Sequence, residues 1–106
     1  LKEAYMRILL RVTFPIEPFN TFVKDGSVSA KMKRILDELK PEAAYFTELG
    51  GRRSGLLIIH MEDTLQIPAV AEPWFLTFNA DVEVHPVMLP EDLARADLGA
   101  LGKKWA

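Results

Sequence analysis

Few side chains in this chain could do chemistry. His60 and His85 are the only histidines, and imidazole is the side chain most suited to moving a proton in neutral solution. Glu72 precedes Pro73 and stands beside Trp74 and Phe75, where a carboxylate with a raised pKa could serve as a general base; the plainer reading is an exposed helix residue. Trp74 and Phe78 share one helical face and would form either a stacking platform for a ligand or part of the core. Asn79 could orient a ligand through its amide, or end a helix, since Asn tolerates the left-handed conformation. Tyr45 is a pocket hydroxyl or a partly buried strand aromatic. The catalytic candidates are therefore His60, His85 and Glu72, and the ligand-pocket candidates are Tyr45, Trp74, Phe78 and Asn79.

Several other chemistries lack their residues. No cysteine is present, which excludes disulfides, thiolate metal sites and thiol nucleophiles. No third ligand at recognised spacing joins the histidines, so no metal is expected, and no cofactor motif is found. The serines have no Gly-x-Ser-x-Gly elbow. Arg52 and Arg53 follow Gly50-Gly51 but lead into a strand and not a helix, so they read as a solvated hairpin tip and not a phosphate loop.

The elements that must position these residues follow from periodicity. Residues 6–14 alternate Met6, Ile8, Leu10, Val12 and Phe14 against Arg7, Leu9, Arg11 and Thr13, a strand pattern that Pro15 and Pro18 end. Phe19, Phe22 and Val23, then Met32, Ile35, Leu36 and Leu39, have helical spacing. Gly26 between them marks either two helices or a weak point in one, with Ser27 or Ser29 as a cap and Pro41 as the stop. Ala43–Leu49 and residues 55–61 read as a hairpin about Gly50-Gly51, the second strand apolar on both faces and so an inner one. Asp63 with Gln66 forms a capping box for a helix beginning near Ile67, which Pro73 should kink. Residues 81–89 alternate again, with Pro86 suiting an edge strand, and Pro90 opens a short helix over residues 91–96. Residues 97–106 are a tail containing Trp105.

At 106 residues the chain makes one domain, with its core over about residues 6–96, and Met6 is a candidate initiator that would make residues 1–5 an extraneous or upstream start. Its net charge of −2 is dispersed and no basic block occurs, so nucleic acid is not an expected partner. No apolar run approaches the roughly twenty residues needed to span a bilayer and no secretory leader is evident. A soluble cytoplasmic protein is expected.

The order strand, helix, strand, strand, helix, strand predicts an α+β, ferredoxin-like βαββαβ fold with a four-stranded antiparallel sheet and helices on one face. The other face would carry Leu9, one set from the third strand, Val87 and one of Tyr45 or Phe46, an apolar patch that predicts a homodimer through the sheet. Which way His60 points is left open by parity.

Three segments carry a resemblance: KPEAAYFTELGGRR (residues 40–53), MEDTLQIPAVAEPWFLTFNADVEVHPVM (residues 61–88) and PEDLARA (residues 90–96). They resemble small uncharacterised bacterial proteins of the dimeric α+β barrel superfamily, which implies a two-subunit barrel with helices outside it. That group is described mostly as of unknown function, and the catalytic motifs of better-known superfamily members have no match here. The expectation is a homodimeric small-molecule-binding or accessory domain, its pocket between the sheet and the helix over residues 67–80. The alternative is a cofactor-independent oxygenase or isomerase acting on an aromatic or lactone-like metabolite.

Overall fold

The computed structural model describes residues 5–106, so the origin of the first residues falls outside the described part of the chain. The elements run β1 (Met6–Thr13), α1 (Ile16–Asp25), α2 (Val28–Leu39), β2 (Ala43–Leu49), β3 (Arg52–Met61), α3 (Ile67–Phe78), β4 (Asp81–Val87), α4 (Pro90–Arg95) and α5 (Leu98–Lys104). The sheet is antiparallel throughout in the order β2-β3-β1-β4, an α+β arrangement compatible with a ferredoxin-like fold.

Local chemistry accounts for most boundaries. Gly26 closes α1 in the left-handed region at φ 81°, so the two-helix alternative holds. Ser27 stands at the start of α2 but its hydroxyl makes no cap there, contrary to the expected capping role. Asp63 and Gln66 form the expected capping box, although it opens a short 3₁₀ turn (Thr64–Gln66) that leads into α3. Pro73 lies inside α3, and Asn79 ends that helix in the left-handed conformation at φ 56°. β3 begins three residues earlier than the apolar run, at Arg52, because the Gly50-Gly51 turn already pairs Leu49 with Arg52. Pro86 lies on edge strand β4, where its missing donor costs no ladder bond on the open side.

The core lies between the sheet and the helices. Ile8, Leu10 and Val12 of β1 and Leu57, Ile59 and Met61 of β3 are buried beneath Trp74 and Phe78 of α3 and Ile35 of α2. Burying side chains of this size contributes about 1.5–3 kcal/mol each. Phe14 ties the layers together, its ring meeting Phe19, Trp74 and Phe78 at centroid distances of 5.1, 5.9 and 5.1 Å.

The C-terminal part departs from a compact shape. The radius of gyration is 17.1 Å and the extents are 58 × 30 × 20 Å, against about 13 Å for a compact domain of this length. α4 and α5 make at most sparse contact with the body, and α5 is helical where only a tail is expected. Leu93, Leu98, Leu101 and Trp105 are exposed along this arm. None of the described helices is long and apolar enough to cross a membrane.

Candidate functional site

The register settles which residues share the open face of the sheet. Arg7 pairs with His60, Leu9 with Ile58 and Arg11 with Leu56 across β1 and β3. On the other side Leu9 pairs with His85 and Arg11 with Glu83. Since Ile8, Leu10, Leu57 and Ile59 fill the core, the alternating residues Leu9, Leu56, Ile58, His60 and His85 point away from the helices. Tyr45, opposite Leu56, belongs to the same face and is 65% exposed, whereas Phe46 is on the helix side.

Two polar clusters flank this apolar stripe. In the first, His60 Nε2 lies 2.8 Å from Glu42 Oε1 and Arg7 Nε donates to the same oxygen at 3.1 Å. Tyr5 stacks on the His60 ring at a centroid distance of 3.9 Å. The hydrogen bond with His60, and then Arg7, holds the solvent-exposed Glu42 carboxyl below its ordinary value. In the second, Glu83 receives His85 Nε2 at 3.1 Å and lies 3.4 Å from Arg11 Nε. That last approach lacks hydrogen-bond geometry, and Arg11 Nε has no hydrogen-bond partner among the described residues. Both histidines are thus tied to carboxylates on the open face.

The remaining candidates are dispersed. Trp74 and Phe78 are fully buried in the core, their rings 6.3 Å apart. Glu72 and Asn79 are exposed on the outer side and at the end of α3. None of His60, His85, Glu72, Tyr45, Trp74, Phe78 or Asn79 lines either cavity described next. Among the described residues no three His, Asp or Glu side chains converge as metal ligands.

A cavity of about 310 Å³ opens elsewhere, between α1–α2 and the β2–β3 hairpin, and no residue of α3 lines it. Its walls are Phe14, Phe19, Val28, Met32 and Phe46, completed by Ser29, Thr47, Ser54 and Arg53. Gly55 shapes one wall: a Cβ there would come within 3.2 Å of Phe46 Cε1, so the missing side chain lets the ring lie across β3. Arg53 is exposed, as expected at a hairpin tip, and its guanidinium also lies over the Phe19 ring, 4.5 Å from the centroid. A larger and more enclosed groove of about 990 Å³ separates α4 from the ends of β1 and β4 and is lined by Met6, Arg7, Val87, Met88, Asp92 and Arg95 among others.

No local pattern in the sequence marks the cavity, because its walls come from α1, α2, β2, β3 and the loop after β1 with no common spacing. Its local signals are a glycine within an otherwise apolar strand and an arginine next to a tight turn. Glu42 has no sequence signal, since it precedes β2 and lies outside any periodic pattern. The chain matches no protein-family model, no curated protein and no solved structure.

Proposed function

We propose that this chain is a homodimeric small-molecule-binding domain, with the ligand held between α1–α2 and the β2–β3 hairpin. The cavity walled by Phe14, Phe19, Met32 and Phe46 carries this reading: it is concave, mostly apolar and rimmed by a few polar groups, as small-molecule sites are. Thermal shift against a metabolite panel tests it, using wild type and Met32→Trp, which fills the space. Ligands that stabilise wild type should leave Met32→Trp unmoved, and a panel that stabilises neither, or both alike, would remove the reading.

A second copy is the occupant that best suits the open sheet face. Leu9, Leu56 and Ile58 form an apolar stripe there, flanked by acidic and basic groups on both sides. Two such faces packed together would make a dimeric α+β barrel from ferredoxin-like halves. The projecting arm, with Leu98, Leu101 and Trp105 exposed, supplies further apolar surface for the same partner. A chain without cysteine suits a cytoplasmic setting.

The His60–Glu42 pair favours a second reading, a small cofactor-independent enzyme. An imidazole oriented by a carboxylate is the arrangement of a general base, and Arg7 and Tyr5 beside it could steady a developing oxyanion. Turnover of a metabolite that is lost in His60→Ala and retained in Met32→Trp would move the site from the cavity to the open face.

A further inference from the structure

We infer that the cavity selects small apolar carboxylates, with Arg53 as the group that recognises the carboxylate. This rests on the small-molecule-binding reading above and names the ligand class of that same site.

The argument starts from the charge at the rim. Arg53 lines the cavity and, although exposed, its guanidinium lies over Phe19, a wall residue, which places it at the rim of the apolar space. The residue directly opposite on β2 is Glu48, the natural cross-strand partner. Glu48 is used elsewhere: its Oε2 accepts the Gly51 N–H at 2.9 Å across the hairpin turn. Among the described residues no carboxylate forms an ion pair with Arg53. The guanidinium thus keeps its donors available beside an apolar space, and a planar donor fork matches a carboxylate in two parallel hydrogen bonds.

The rest of the lining agrees in sign and size. Val28 and Ser29, the first residues of α2, line the cavity, and the first turn of that helix contains no acidic residue. The positive end of the helix dipole therefore adds to the field of Arg53 and does not oppose it. No acidic side chain is part of the lining, so an amine would meet only repulsion. At about 310 Å³ the cavity is small for a ligand site, which suits one ring or a short acyl chain lying against Phe19, Phe46 and Met32.

The test is titration calorimetry with phenylacetate, indole-3-acetate and octanoate, each beside its primary amide, on wild type, Arg53→Gln, Met32→Trp and Gly55→Ala. At least one acid should bind wild type about tenfold or more tighter than its amide, a ratio of the size expected for a charge-assisted pair. Arg53→Gln should bring that ratio to about one by weakening the acid alone. Gly55→Ala, which displaces the Phe46 ring, should shift acid and amide together, and Met32→Trp should lose both. Circular dichroism establishes that each variant is folded. If acid and amide bind wild type equally, or if Arg53→Gln keeps the preference, the carboxylate inference fails and the cavity reading stands. If no acid and no amide binds wild type, both fail.

Discussion

His60 Nε2 and Arg7 Nε converge on a single oxygen of Glu42, at 2.8 and 3.1 Å. Three residues from β1, β3 and the segment before β2 are thereby tied together on the open face of the sheet. A carboxylate held by two donors is stabilised in its charged form, and that has a consequence for stability against pH.

Glu42 is held below its ordinary 4.5. Its contribution to stability is therefore complete above that value, where folded and unfolded forms are both ionised, and is lost as pH falls through the lower folded value. Melting temperatures of wild type and Glu42→Gln, followed down through the carboxylate range, should converge in acid. Because Glu42 is exposed, added salt should shrink the difference. A gap that stays fully open in strong acid would contradict this.

Trp74 is fully buried, and its indole N–H has no hydrogen-bond partner among the described residues. Trp74→Ala should cost about 3–5 kcal/mol in urea unfolding through the cavity it leaves. Trp74→Phe should cost well under half of that, since it keeps most of the packing and removes an unsatisfied donor worth about 1–3 kcal/mol. Equal losses in the two variants would mean that the N–H is satisfied in solution.

Asn79 holds the left-handed position that ends α3, at φ 56° and ψ 35°. Asn79→Gly should change stability by only a few tenths of a kcal/mol, while Asn79→Val should lose about 1–2 kcal/mol, because a β-branched side chain is strained there. Urea unfolding of the two variants reads the difference directly.

Ile58 lies at the centre of the open apolar stripe, paired with Leu9 on one side and Ala43 on the other. In sedimentation equilibrium at micromolar concentration, wild type should have twice the chain mass. Ile58→Arg, which would put an unpaired charge into the interface, should have the mass of a single chain. Wild type at the mass of one chain would remove the dimer.

Much of this fold is legible in the sequence where one residue decides a local conformation. Met6-to-Phe14 alternation marks β1, Asp63 with Gln66 marks the approach to α3, Asn79 marks its end and Pro86 marks an edge strand. What local pattern leaves open is decided by register. β3 is apolar on both faces, so only its pairing with β1, Arg7 against His60, turns that histidine outward. The same dependence hides the cavity, since Phe14, Met32, Phe46 and Arg53 meet only once α2, β2, β3 and the loop after β1 have packed. The reach of α5 is equally nonlocal, for a seven-residue helix says nothing in sequence about whether it folds back.

The four methionines report on separate parts of this molecule. Met32 lines the cavity, Met61 is buried in the core, and Met6 and Met88 line the groove by α4. Methyl NMR of methionine-labelled protein, titrated with phenylacetate, indole-3-acetate and octanoate, therefore locates any bound ligand. A saturable shift of the Met32 methyl, with Met61 unmoved, is the result expected. No shift with any acid, or shifts confined to Met6 and Met88, would contradict the assignment of the cavity as the binding site.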